Sequence, residues 1–138
     1  MERSKLRGFL HHVEIYVSDL ARTKDFYGWL LGELGYAVVN EWPLGISYGL
    51  GQTYFVFVQV EEAFLKDGYH RKRVGLNHLA FHVDSRQEVD NFTEQLRARG
   101  ATVLYEDRHP YAGGENYYAV FFEDPDRMKL ELAVSSKG

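Results

Sequence analysis

The chain has 138 residues, of which 45% are hydrophobic and 26% are charged, a composition typical of one globular domain. Its formal net charge of −4 argues against general nucleic-acid binding, because phosphate backbones are held by clustered positive charge. The sequence has no cysteine, which excludes disulfides, thiolate nucleophiles and cysteine-ligated zinc or iron–sulfur sites, so only histidine, carboxylates or water could hold a metal.

Membrane and export signals are not found in the sequence. No run of about twenty apolar residues occurs that could span a membrane. The polar leader Met1–Lys5 is not followed by the apolar segment of a secretory signal. We therefore expect a cytoplasmic protein without membrane contact.

The first half of the sequence predicts one helix among four strands. Residues 9–17 alternate as a strand does, and Ser18 or Asp19 is placed to cap the following helix. Apolar residues recur in this helix at the i, i+4 spacing of an amphipathic helix, and Gly35 is placed to end it. Further strands are predicted over 36–42, 46–50 and 54–60.

The second half repeats this order after a polar segment over 61–74. That segment carries the basic run His70–Arg73, which we interpret as a solvated linker. Ser85–Glu88 has the form of a capping box, and Gly100 ends the helix that it opens. Strands are predicted over 76–83 and near 102–106, 116–123 and 128–134, with a loop over 108–115 that contains a flexible turn at Gly113-Gly114.

The two halves align residue by residue. His12 corresponds to His78 and Val17 to Val83 at a constant offset. The offset slips by one residue after the helix, where Gly35 corresponds to Gly100. We interpret this as an internal duplication of a βαβββ module, which gives one α+β domain over 1–138 made of module 1 (about 9–66) and module 2 (about 75–135). Two such modules can bury their open sheet faces together or enclose a cavity.

Two histidines and one glutamate have positions that favour a metal site. His12 and His78 open the duplicated strands, so a pseudo-twofold arrangement would bring both imidazoles to a common axis. Glu131 lies between Leu130 and Leu132, which places its carboxylate on the opposite face of the strand. A charged group in mid-strand needs a partner or a metal. Each residue alone is ordinarily structural, but the three together favour a metal site.

Three motifs carry a resemblance to a known family. They are His12–Leu20 followed by Phe26-Tyr27, then His78–Val83, and finally Phe122–Asp126 running on to Leu130–Leu132. In this order they resemble the vicinal oxygen chelate superfamily, which includes glyoxalase I, bleomycin- and fosfomycin-resistance proteins, methylmalonyl-CoA epimerase and extradiol dioxygenases. The resemblance implies the glyoxalase/bleomycin resistance/dihydroxybiphenyl dioxygenase fold, in which two βαβββ modules form a cupped, mixed-sheet half-barrel.

Position by position, the resemblance implies His12, His78 and Glu131 as ligands of a divalent Fe, Mn, Ni, Co or Zn ion. The strand that supplies a further carboxylate in glyoxalase I has no acid in its middle here, which leaves Gln59 as a weak fourth candidate and disfavours a standard glyoxalase I. Arg127 takes the glycine place of the typical Asp-Pro-Asp-Gly turn, so we expect the turn to differ locally.

The resemblance implies a metal-dependent lyase, isomerase or dioxygenase that acts on a small substrate with adjacent oxygens. A metal-free drug-binding protein of the bleomycin-resistance type is the alternative, and the ten Tyr and nine Phe suit a planar ligand. Fosfomycin-type thiol transfer and extradiol cleavage are narrower options. We expect a homodimer, with the site either within one chain or across the dimer interface. The weak candidates for catalytic residues are Lys129, His82, His109 and Tyr118.

Overall fold

The computed structural model describes residues 7–135, which form two units with one mixed β-sheet each. The chain divides between Gly68 and Tyr69. An α-helix packs on the sheet of each unit, and the predicted α+β class is confirmed. No helix within residues 7–135 is long and apolar enough to cross a membrane.

The first unit has the predicted βαβββ order. Its elements are β1 (His12–Val17), α1 (Leu20–Glu33), β2 (Ala37–Trp42), β3 (Gly45–Leu50) and β4 (Thr53–Gln59), followed by a 3-10 helix over Glu62–Asp67. The strand order in the sheet is β1-β4-β3-β2. β1 and β4 are parallel, whereas β3 is antiparallel to both of its neighbours.

α1 is positioned by its cap and by an aromatic contact. The Asp19 carboxylate accepts a hydrogen bond from the Arg22 backbone N–H at 3.1 Å, which satisfies one of the free donors of the first turn. Tyr27 and Leu30 are buried on the face that contacts the sheet. The rings of Tyr27 and Phe57 of β4 lie 4.3 Å apart, so the amphipathic pattern of this helix is confirmed.

The second unit contains β5 (Leu79–Val83), α2 (Arg86–Ala98), β6 (Ala119–Glu123) and β7 (Lys129–Val134). β7 is the central strand, parallel to β5 and antiparallel to β6. Leu130 and Leu132 are fully buried, as are Val89 and Leu96 of α2, because α2 packs on one face of this sheet.

The capping box of α2 is confirmed with one change of partner. Ser85 Oγ accepts from the Glu88 backbone N–H at 3.2 Å. The Glu88 carboxylate accepts from the backbone N–H of Asp84 at 2.6 Å, one residue before the cap itself. Both ends of the box therefore fix the turn between β5 and α2.

The predicted strand over 102–106 is wrong. In that segment Val103 forms an isolated bridge with Phe122. Tyr105 follows with φ +56°, in the left-handed region where an extended ladder cannot continue. The strands predicted to begin at residues 9, 76 and 116 also begin later, at His12, Leu79 and Ala119.

The turn between β6 and β7 is held by Asp124. Its carboxylate accepts from the backbone N–H groups of Asp126 and Met128, both at 2.8 Å. Arg127 adopts φ +66°, a conformation that glycine takes cheaply. An L-residue in this conformation costs about 1 kcal/mol or more, and the chain carries that cost at Arg127.

The interpretation of His70–Arg73 as a solvated linker is wrong for Arg71. Its guanidinium donates to Glu123 Oε2 at 2.8 Å and to the Arg127 carbonyl oxygen at 3.2 Å. The side chain is only 20% exposed, and that of Glu123 only 8%. This segment is therefore bound to the second unit through a largely buried ion pair.

Candidate metal centre

Glu131 lies in the middle of β7 on the face away from α2. It stands opposite Ala80 of β5 and Phe121 of β6. Because neighbouring residues of a strand face opposite sides, the buried pair Leu130 and Leu132 faces α2 and Glu131 does not, as the sequence predicted. Glu131 is only 3% exposed, and a carboxylate at such burial requires compensating partners.

His78 is the first of these partners. Its Nε2 lies 2.8 Å from Glu131 Oε1, and its Nδ1 lies 2.7 Å from Asn77 Oδ1. With Nδ1–H donating to the amide oxygen, Nε2 directs its lone pair at the carboxylate, so the contact becomes attractive when a proton or a metal ion is shared. An imidazole nitrogen and a carboxylate oxygen are also both ligand types that a divalent ion would accept.

Tyr117 is the second partner of Glu131. Its hydroxyl donates a short hydrogen bond to Glu131 Oε2. That bond, with a smaller contribution from burial, raises the pKa of Tyr117 to about 12, so the phenol remains a donor at neutral pH. One carboxylate oxygen is thereby occupied by Tyr117, and the other faces His78.

The loop glycine Gly113 makes room for the Tyr117 ring. A Cβ atom at Gly113 would lie 2.5 Å from Tyr117 Cδ1, well inside van der Waals contact. Gly113 lies in a turn, as predicted, and the loop backbone there packs directly on a ring that contacts Glu131.

Tyr118, a predicted candidate, lies with α2 and not with Glu131. Its hydroxyl donates to the Asp90 carboxylate at 2.7 Å, and this bond raises the pKa of Tyr118 to about 12. The Arg86 guanidinium lies 4.8 Å from the centre of its ring. The sequence thus indicated a tyrosine in this loop, but the residue that contacts Glu131 is Tyr117.

The candidate His109 also lies on the α2 side. Burial lowers its pKa below the ordinary value, as does the charge of Arg97, while Glu106 and Asp90 act in the opposite direction. These neighbours differ from those of Glu131, and they give His109 no part in the His78–Glu131 pair.

Lys129 and His82 share the sheet face of Glu131 but have other partners. The Lys129 ammonium donates to Tyr105 Oη at 2.8 Å and lies 5.1 Å from the centre of the Phe121 ring. His82 is exposed, and its Nδ1 lies 3.1 Å from Ser135 Oγ. Lys129 therefore borders the face that carries Glu131, whereas His82 lies further along β5.

His12 belongs to the first unit, where it opens β1. Its imidazole stacks on Tyr54 with ring centroids 4.8 Å apart, and its Nδ1 lies 2.9 Å from Nδ1 of His11. Nε2 is therefore the nitrogen of His12 that would serve as a ligand atom. Within residues 7–135 no three His, Asp or Glu residues form a group that could hold a metal ion; His78 and Glu131 form a pair.

Gln59, the weak fourth candidate, has a structural position. Its side-chain oxygen accepts from the Leu20 backbone N–H at 2.9 Å, and its NH₂ group donates to the Ser18 carbonyl oxygen at 2.8 Å. Both ends of the amide thus connect β4 to the beginning of α1. Gln59 is thus engaged within the first unit.

Two mixed sheets, each with a helix on one face, define the class of proteins built from paired βαβββ modules. A model of the Glyoxalase/Bleomycin resistance protein/Dioxygenase superfamily matches residues 9–132, which confirms the resemblance found in the sequence. The chain belongs to this superfamily.

Similar proteins support the same conclusion. The uncharacterized protein YqjT of Bacillus subtilis is 56% identical over 127 residues, which cover 92% of this chain and 99% of that protein. A crystal structure of a glyoxalase-like protein from Bacillus halodurans is 55% identical with a TM-score of 0.93, covering 94% and 98% of the two chains. FosX from Listeria monocytogenes, a fosfomycin resistance protein solved with Mn(II) and sulfate, is 18% identical with a TM-score of 0.68, covering 94% and 92%. Its likeness concerns the fold alone.

Proposed function

We propose that this protein is a metal-dependent enzyme of the glyoxalase/dioxygenase type, with His12, His78 and Glu131 as ligands of a divalent ion. The observation that carries the proposal is the contact between His78 and the buried carboxylate of Glu131. The pair joins an imidazole and a carboxylate, which Fe, Mn, Ni, Co and Zn accept. The substrate would be a small molecule with two adjacent oxygens, handled by lyase, isomerase or dioxygenase chemistry in a homodimer.

The surrounding residues fit such an ion. Asn77 accepts from Nδ1 of His78 and so directs Nε2 toward the site, the usual support of a metal-bound histidine. Tyr117 holds the distal oxygen of Glu131. The ring centroid of Phe121 lies 6.1 Å from that of His78, and Phe121 is itself buried. When bound, a divalent ion supplies Lewis acidity toward the substrate oxygens.

Metal content tests this proposal directly. The protein is purified without chelator or nickel resin, and metal per chain is measured by mass spectrometry of the elements. We expect close to one divalent ion per chain, or saturable uptake of one of Fe, Mn, Ni, Co and Zn. Loaded protein is then screened by oxygen uptake and by isomer formation on small vicinal dioxygen compounds.

An outcome without metal would favour the alternative. If the purified protein holds no metal and takes up none of the five, the enzyme proposal fails. The metal-free binding protein of the bleomycin-resistance type would then be tested, by titrating planar aromatic ligands against the intrinsic tyrosine and tryptophan fluorescence.

Removing the Tyr117 hydroxyl is expected to weaken metal binding without abolishing it. Tyr117→Phe leaves Glu131 Oε2 without its donor, and losing such a supporting bond lowers metal affinity by about 10–100-fold. Competition titration against a metal-sensitive dye measures the change. Tyr118→Phe is the matched control, because it removes the same group from a bond to Asp90 and should leave metal affinity unchanged. Equal effects in both variants would contradict this role of Tyr117.

A further inference from the structure

The second unit contains a cavity beside the turn between β6 and β7. Its volume is about 160 Å³, and it is lined by Tyr69, His70, Arg71, Lys72 and Arg127. It contains neither His78 nor Glu131, and four of its five lining residues are basic. We propose that this cavity binds a small oxyanion of the phosphate-monoester class, independently of the metal centre.

Not all of these basic groups serve the same purpose. Arg71 forms the ion pair with the buried Glu123, so its charge is largely compensated and it fixes the wall of the cavity. Arg127 is different, since its side chain is 79% exposed and its Nε lies 3.6 Å from Glu123. Lys72 is exposed as well. Three cationic side chains, those of Arg71, Lys72 and Arg127, therefore line the cavity, beside the buried carboxylates of Glu123 and Asp124.

The neighbouring carboxylate of Asp124 offsets part of this positive charge. Asp124 is buried, and its carboxylate accepts from two backbone N–H groups of the turn. His70 Nδ1 accepts from the Lys72 backbone N–H at 3.1 Å, which leaves Nε2–H as the donor of the neutral imidazole. The residues that line the cavity thus carry a guanidinium, an ammonium and an imidazole N–H, and phosphate oxygens accept hydrogen bonds from donors of these types.

The backbone of Arg127 supports a role for its side chain. Arg127 has φ +66° in a turn where glycine would be less strained. An observed backbone outlier of this kind is a reason to look for function at the residue. A guanidinium at this position faces the cavity, which a glycine could not supply.

Binding of inorganic phosphate and of a sugar phosphate tests the site, at constant ionic strength with chloride as the reference anion. Calorimetry on the full chain should give saturable binding of one anion. Arg127→Gly and Arg127→Asn should each weaken it by at least ~10-fold, while the melting temperature of Arg127→Gly stays the same or rises. Both replacements tolerate positive φ, so that loss of binding is separated from loss of folding.

Arg73→Ala is the matched control. Arg73 belongs to the same basic run but does not line the cavity, so its removal should leave phosphate affinity unchanged. The proposal is overturned if wild type shows no saturable binding, or if Arg73→Ala weakens binding as much as Arg127→Gly. It is also overturned if binding is lost in Glu131→Gln, because the anion would then sit at the metal centre.

Discussion

Replacing Glu131 by glutamine is expected to lower metal affinity by more than the ~10–100-fold that supporting residues contribute. The amide keeps the shape of the side chain and can still accept from Tyr117, but it removes the negative charge. Because Glu131 is 3% exposed, losing a buried charge should leave thermal stability unchanged or slightly raised. Metal titration and thermal unfolding of the same metal-free preparations measure both quantities.

Glu123→Gln is the informative control for this experiment. Glu123 is another buried carboxylate of the same sheet, but its partner is Arg71. Its loss leaves that guanidinium without its charge partner, which should cost about 1–3 kcal/mol of stability and leave metal affinity unchanged. If Glu131→Gln instead retains metal and loses stability as Glu123→Gln does, Glu131 is a structural residue and the proposed ligand set is wrong.

Strand alternation accounts for much of what the sequence predicted at the site. Leu130 and Leu132 occupy the core beside α2, and the residue between them must face away. The same rule also shows why Gln59 was a poor candidate. Gln59 has the parity of Phe55 and Phe57, which are buried, with Phe57 against Tyr27 of α1. Alternation therefore places the Gln59 amide at the helix, where it connects β4 to α1.

Residues outside the regular strands were not predictable in this way. Tyr117 and Tyr118 precede β6, where no period fixes which of the two faces Glu131. Gly113 gave the one usable signal, because a glycine can mark a close approach between a backbone and a side chain. The Arg71–Glu123 pair joins residues far apart in sequence, so composition predicted a solvated run where the structure has a buried contact.

The left-handed backbone of Tyr105 explains why the strand predicted over 102–106 is wrong. The segment has the apolar alternation of a strand, and Val103 does pair with Phe122. Tyr105 then leaves the extended region, and its hydroxyl accepts from Lys129. A bulky residue at positive φ is uncommon, so a prediction from propensity continues the strand where the backbone turns away.

His12→Ala is expected to lower metal affinity as strongly as His78→Ala does. The two histidines hold corresponding places in the duplicated modules, and each supplies one neutral nitrogen to the proposed ion. His11→Ala provides the matched control, because His11 is adjacent to His12 and bonded to it through Nδ1. Metal titration of the three variants should show losses of more than ~100-fold, beyond the range of supporting residues, in His12→Ala and His78→Ala but not in His11→Ala. If His11→Ala loses metal affinity and His12→Ala keeps it, His11 is the ligand.

A mixing experiment then decides whether the ligands come from one chain or two. His12→Ala and Glu131→Ala each lack one ligand, and both should lose metal alone. If the protein is a dimer whose site combines His12 of one chain with His78 and Glu131 of the other, a mixed dimer regains one complete site. Refolding the two variants together would then restore about one ion per mixed dimer, half the content of the wild type. No recovery in a confirmed mixed dimer would place all three ligands within one chain, because each chain would still lack its own residue.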